Sequence, residues 1–440
     1  MASGLCIIGS GYSAAALLLH LDAQGAELDN TTVVGPERLG AGQAFGCVNG
    51  DFRLNVRADL MQLWPDDPNH FARWASIHVA DDPDAATPIG PFHRRRDFAS
   101  YVAQELAARP GVSAVRHIQN TAVALVSSKN EWEVTLADGS TVKAGQVVLA
   151  TGNPPPRWPF QKQIADSSTL IRVPWRGDWH QQVTQQARVV IIGSGLTALD
   201  AVHTLRLHGH KGAIRLVAPD GLLPPVQTDW QDADPLVWPE TPSAAKFLRF
   251  MRDVTGDDIR WEETEWQRRF ESLRVNVSSA WQTLPATEQS RLMRRFGWLW
   301  SLTRFRAGPQ AHGSAMALLE SGQLEMITDM VTAIDTNNDR SHLVRLAGGD
   351  SLAADAVVNC SGAGRDPLVC RLLEDDVAMP HETFAGRPAL SPDMALLRAD
   401  GTAHDNLFGV GPMTAHVAGD VLGSASIARQ ARRLATHLMG

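Results

Sequence analysis

Leu5-Cys6-Ile7-Ile8-Gly9-Ser10-Gly11-Tyr12-Ser13-Ala14 decides the fold: an apolar run of strand length passes through Gly-x-Gly-x-x-Ala into the helical stretch Ala15–Gln24. Gly25 stops that helix and Thr31–Val34 supplies the next strand, which completes a β-α-β unit of about thirty residues. In such a unit the first glycine allows a tight turn and the second lets the backbone approach a pyrophosphate. The third position needs a small side chain for helix-on-strand packing, and the anion rests at a helix N-terminus. One such pattern is weak. The same pattern recurs from Val189–Ile192 through Gly193-Ser194-Gly195-Leu196-Thr197-Ala198, a helix to about Leu207 and a strand over Ile214–Val217.

A longer repeat ties the two together. Residues 133–152 read EVTLADGSTVKAGQVVLATG and residues 343–362 read LVRLAGGDSLAADAVVNCSG, aligned without a gap. Each predicts a hairpin turning at Asp138-Gly139 or Gly348-Gly349, then a buried strand ending in Thr151-Gly152 or Ser361-Gly362. The expected fold class is therefore α/β, with two Rossmann-like dinucleotide-binding domains, for FAD and NAD(P), and a helical insertion in the second. The expected boundaries are 1–157 with 343–440 for FAD, 158–228 with 310–342 for NAD(P), and 229–309 for the insertion. Pro154-Pro155-Pro156 and Pro224-Pro225 mark the joints. The insertion holds seven of the thirteen tryptophans: Trp230, Trp238, Trp261, Trp266, Trp281, Trp298 and Trp300. They form either a small bundle core or an aromatic lid. Trp300, with Arg304 and Arg306 as clamps for a substrate carboxylate or a nicotinamide phosphate, makes the candidate substrate-binding set.

Composition narrows the rest. A net charge of -8 provides no basic stripe for nucleic acid, and Arg94-Arg95-Arg96 is too short to change that. Cys6, Cys47, Cys360 and Cys370 never reach CxxC spacing, which argues against a structural zinc site and against a dithiol redox centre, and no metal is expected. No apolar run has the ~18 residues of a membrane span. The first strand begins near Leu5, leaving no room for a signal peptide, so the expected location is cytoplasmic.

With these motifs the chain resembles the FAD/NAD(P)-binding oxidoreductases related to flavin-containing and N-hydroxylating monooxygenases. The resemblance runs over nearly the whole chain. Its marks are GSGYSAAAL from Gly9, LGAGQAFG from Leu39 and RLNVRADLMQLWPDDPNHFARW from Arg53. Others are Arg95 or Arg96 before Phe98 and Tyr101, VVLATGNPP from Val147, WQTLP from Trp281, and Val410-Gly411-Pro412-Met413. The resemblance implies that Asn55 lies beside the flavin as a catalytic residue, with His416 a second candidate. It implies an FAD site built from Gly9, Gly11, Ser13, Gly42, Arg95, Thr151 and Gly152. Gly411 to Met413 would open a last helix aimed at the pyrimidine end of the ring, where a positive helix end favours reduced flavin. Gly193, Gly195, Thr197 and Gly362 would hold the nicotinamide dinucleotide.

Three departures bear on function. The ribose-binding acid that often ends the second strand is replaced by Gly35, leaving Glu37 to take over. The matching strand of the second module ends in Ala218-Pro219-Asp220, where an acid repels a 2′-phosphate and leans the donor toward NADH. Thr303 and Phe305 stand where the narrower group carries histidines. The implied activity is an NAD(P)H-using flavin monooxygenase acting with molecular oxygen on a small organic molecule. The alternatives are a flavin oxidase or dehydrogenase taking hydride directly from its substrate, and a non-catalytic flavin-binding accessory protein. Substrate and oligomeric state are not legible.

Overall fold

A computed structural model describes residues 4–46, 51–79, 81–128, 131–162, 164, 166–175, 178–229, 234–240, 243–256, 264–337, 341–418 and 423–440. Two parallel sheets form its frame. The first runs in the order Ala395–Leu397, Ala403–Gly409, Gln146–Leu149, Leu5–Ile8, Thr31–Val34, Arg116–Ile118, with only the edge strand Ala395–Leu397 antiparallel. The second runs Leu324–Thr328, Ile214–Ala218, Val189–Ile192, Ala356–Asn359, Leu170–Ile171, all parallel.

Each sheet is covered on both faces, and the period of two in its strands divides the residues between them. In the first sheet Ile7 and Val148 face the helices, while Cys6, Ile8, Val147 and Leu149 face a three-stranded antiparallel sheet built on Ala122–Ser128, Glu131–Leu136 and Thr141–Ala144. In the second, Val189, Ile191 and Val358 face helices. Val190, Ile192 and Val357 face the equivalent sheet of Val331–Thr336, His342–Leu346 and Ser351–Ala354. The repeated hairpins of the sequence are these two sheets, turning at Gly139 (φ +85°) and Gly349 (φ +100°), conformations that suit glycine.

The helix Tyr12–Ala23 is apolar all round and correspondingly buried, Ala14 to Leu19 having no exposed surface. One of the helices enclosing it is the last of the chain, Ser424–Met439, whose Ile427, Ala428, Ala431, Leu434 and Ala435 make one buried stripe.

One expected boundary moves. Residues 343–359 belong with the second sheet, because Ala356–Asn359 pairs with Val189–Ile192 and the hairpin before it packs on the same strands. The return to the first module starts after Asn359. The two crossing segments run side by side: Asn359 Nδ2 donates to Arg157 O at 3.1 Å, and a Cβ on Gly364 would lie 2.4 Å from Pro155 O.

The insertion is helical, over Ala244–Thr255, Glu265–Arg274, Val277–Thr283 and Ala286–Arg304. Trp238 and Trp266 are buried and Trp281 and Trp300 half-buried, whereas Trp298 is 45% exposed. Trp230 and Trp261 lie outside the described residues, as does Cys47. No helix among the described residues is long and apolar enough to cross a membrane.

Candidate functional site: two facing dinucleotide crevices

The first crevice follows from close approaches that only glycine permits. Gly9 has φ +115°, and a Cβ there would lie 2.2 Å from Ala150 O of the neighbouring strand. The second fingerprint repeats this contact: Gly193 has φ +104°, and its Cβ would lie 2.4 Å from Cys360 O. Gly11 caps the first helix with no side-chain hydrogen bond, so the donors of the first turn lack a side-chain cap. Gly42, with φ +54°, packs against it so closely that a Cβ would come within 2.7 Å of Gly11 Cα. Thr151 Oγ1 is buried with no partner among the described residues, and Gly152 beside it has open space. Bare helix donors, a backbone cradle that a Cβ would fill and an orphaned hydroxyl suit an anionic dinucleotide such as FAD.

Gly35 explains the absent ribose acid. A Cβ there would lie 2.5 Å from Ser10 N and Ser10 Oγ, and Ser10 Oγ donates to Glu37 O at 2.8 Å. Any side chain at 35 would disrupt the fingerprint turn, which leaves half-buried Glu37 as the nearest acid along the chain.

The Gly411–Met413 expectation needs correction. Pro412–Thr414 is a 3-10 turn and Ala415–Ala418 a single helical turn; the long helix starts only at Ser424. Gly411 N–H is already occupied, donating to buried Gln430 Oε1 at 2.7 Å, while Gln430 Nε2 donates to Thr414 Oγ1 at 2.6 Å. The donor is turned into the protein. Met413 is buried under Gly409, and Gly411 lies beside Ser13 of the first fingerprint, whose Oγ would lie 2.3 Å from a Cβ on Gly411.

Asn55 is half-buried between Leu54 and fully buried Arg57, which Asp59 (3.1 Å) and Asp229 (2.7 Å) hold in place. It lines a small cavity with Leu196, Asp200, His203 and Gly308. The first-module candidate thus meets the start of the second fingerprint helix, Leu196–Leu207. That helix is also capped by an uncapping glycine, Gly195, around which, as around Gly362, there is open space; Thr197 is half-buried. Asp220 is exposed just past the strand Ile214–Ala218. Beyond His203 the seam between the modules widens into a cavity of about 1060 Å³.

The remaining candidates separate. Arg95 does not stand alone toward a ligand: it pairs with Asp200 of the second fingerprint helix at 3.3 Å. His416 is buried, donates from Nε2 to Pro388 O at 2.7 Å and packs against His381 and Phe384. Burial holds its pKa down to about 3, so the ring is neutral. Arg306 is a correction. Its guanidinium lies inside the helical bundle, 2.7 Å from Glu271 and over the Trp266 and Phe270 rings, because a buried carboxylate needs that charge. Trp300 tilts against Phe270 at 5.1 Å, and Arg304 reaches toward Gly423 at the start of the last helix.

Two residues escaped the sequence reading. Asp200 follows the fingerprint by one turn, and burial pushes its carboxyl up to about 6 against the pull of Arg95. Gln227 is 2% exposed, and neither atom of its side-chain amide has a partner among the described residues. Its backbone N–H donates to Ala307 O at 2.9 Å, beside the Asn55 cavity. The only signal was Pro224-Pro225 just before it. Asp82, His93 and Asp97 also cluster, but Arg53 (2.8 Å) and Arg94 (3.4 Å) already neutralise Asp82.

Residues 6–154 match the family model described as FAD-NAD(P)-binding. An ornithine N-hydroxylase of Kutzneria sp. 744 superposes with a TM-score of 0.67 at 14% identity, covering 100% of this chain and 99% of that one. The ornithine hydroxylase of Pseudomonas aeruginosa gives 0.64 at 15% identity, covering 100% and 99%. The L-lysine 6-monooxygenase of Pseudomonas syringae gives 0.64 at 15%, covering 99% of both chains. This chain has the N-hydroxylase fold. Comparison with curated proteins by sequence gives no significant match. These superpositions run over the whole chain, the insertion included.

Proposed function

We propose that the chain is an FAD-dependent monooxygenase that draws electrons from NAD(P)H and acts on a small molecule bearing a primary amine. The observation that carries this reading is the meeting of Asn55, on the first module, with the N-terminus of the second fingerprint helix. A donor dinucleotide on Gly193, Gly195 and Thr197 would then point toward a flavin held by Gly9, Gly11, Gly42 and Thr151. FAD supplies the hydride acceptance and the reaction with oxygen; the protein positions, desolvates and excludes water. Asn55 offers a neutral amide beside the ring. Gln227, whose buried side-chain amide has no partner among the described residues, offers a polar contact that would orient an uncharged amine. The amine class rests on the ornithine and lysine substrates named for the structural neighbours.

Asp220 favours NADH as donor, since a carboxylate at the end of that strand accepts ribose hydroxyls and repels a 2′-phosphate. The same residue lends some weight to a flavin oxidase that needs no nicotinamide. Anaerobic mixing with NADH and with NADPH, followed near 450 nm, decides between them. Bleaching by either nucleotide supports the monooxygenase reading, and NADH should be faster. A flavin reduced by an amine and by neither nucleotide would replace it with the oxidase.

A further inference from the structure

We infer that the Arg95–Asp200 ion pair is the element that sets the register of the nicotinamide crevice against the flavin crevice. This rests on the proposed reading that NAD(P)H reduces the flavin. Arg95 opens the helix Arg95–Ala107 of the first module, and Asp200 lies in the second turn of the fingerprint helix of the second. Their side chains are 12% and 10% exposed and meet at 3.3 Å. Arg95 has no freedom to follow a moving partner. Its Nε donates to Arg53 O at 3.1 Å, and its guanidinium stacks on Trp175 at 4.4 Å, which is itself backed by Phe52 at 5.3 Å.

The leverage is geometric. Asp200 lies five residues from Gly195, about 7.5 Å along a rigid helix. Fixing Asp200 against Arg95 therefore fixes the end that would receive the pyrophosphate. Asp200 also walls the cavity that holds Asn55 and Leu196, whereas farther along the helix the modules part around the large cavity. At that far end the cross-module contacts are His208 with Asp51, 43% and 22% exposed, and Gln310 Nε2 donating to Asp84 O at 2.8 Å. A directional, largely dry pair outranks a wet one as a register device. Donor and acceptor of a hydride tolerate little misplacement, and an error of about 1 Å costs about 100-fold in rate. Arg95 and Asp200 act as positioning residues, touching neither reacting atom.

The test uses the FAD-loaded full chain carrying Asp200→Asn, Arg95→Gln or Trp175→Phe. Three readouts are taken: FAD content, the Kd of the oxidised nucleotide by flavin difference spectra, and the limiting anaerobic reduction rate at saturating NADH or NADPH. Hydrogen exchange is followed over residues 95–98 and 196–200. We expect full FAD content, a Kd within about threefold and a limiting rate reduced at least about tenfold for Asp200→Asn, with a smaller fall for Trp175→Phe. Exchange should rise in both segments together. An unchanged limiting rate, or a loss explained wholly by Kd, overturns the inference. If the wild-type flavin is reduced by neither nucleotide, the monooxygenase reading fails and exchange decides the pair: unchanged protection in both segments for Asp200→Asn and Trp175→Phe sinks it. Trp175→Phe leaves no buried charge unpaired, so it serves if Asp200→Asn does not fold.

Discussion

Arg306 and Gln227 are opposite cases of a polar side chain buried in this molecule. Arg306 meets Glu271 at 2.7 Å with both side chains almost wholly enclosed. Arg306→Ala would strip a buried carboxylate of an arginine partner, leaving it paired with Arg274. The loss should be about 3 kcal/mol of unfolding free energy, read from urea denaturation followed by tryptophan fluorescence. An unchanged midpoint with a raised substrate KM would return Arg306 to the substrate. Gln227 makes no side-chain hydrogen bond among the described residues, so Gln227→Leu loses none. Its stability should hold or rise, while the KM for an amine substrate rises by about tenfold, the worth of one neutral hydrogen bond. A charge run such as Thr303–Arg306 looks the same in sequence whether it faces a cleft or a carboxylate. Only the long-range partner decides, and Glu271 lies 35 residues away.

The two fingerprints make matched elements whose glycines do different work. Gly42→Ala places a methyl 2.7 Å from Gly11 Cα at a positive φ, so the purified protein should come out largely colourless, with a lowered 450-to-280 nm ratio. Gly195→Ala has an ordinary φ of -72° and open space around the new methyl. It should keep its flavin and its stability yet be reduced by nicotinamide at least about tenfold more slowly, because the methyl occupies the room a pyrophosphate needs. Equal loss of flavin in both variants would mean that the two crevices are not separate. These elements were legible beforehand because strand, turn and helix are local and occur twice. That Gly411 N–H is unavailable to a ligand was not, since Gln430, nineteen residues on, takes it. The misplaced boundary at 343 has a similar origin: a hairpin repeat marks a module's last strand but not which sheet receives it.

At the scale of the whole molecule, burial keeps histidines neutral: it lowers His20 and His203 to about 4 and His416 to about 3, from 6.5. The unfolded chain takes up protons on them below 6.5 while the folded chain does not, so stability present above 6.5 is lost as pH falls toward about 4. Each contributes up to about 1.4 kcal/mol per pH unit in that window. Asp200 works the other way, its raised pKa favouring the fold as pH falls from about 6 to 3.8, and burial raises Asp97 too, but burial also lowers His93, His210 and His404, so the histidines prevail. Urea midpoints at pH 7, 5.5 and 4.5 should fall in that order, and a flat series would mean the rings are not neutral. The order of the strands also has a consequence for manufacture. Four strands of the first sheet and its greasy central helix, Tyr12–Ala23, are complete when Leu149 has been made, but the stripe on Ser424–Met439 that helps cover that helix comes about 275 residues later. At ~5–20 residues per second a ribosome needs roughly 14–55 s to cross that gap. Throughout it the nascent chain carries an apolar helix covered only in part, by residues such as Phe98, Tyr101 and Val102, so the yield of this protein in a cell should depend on holdase chaperones more than its final stability would suggest.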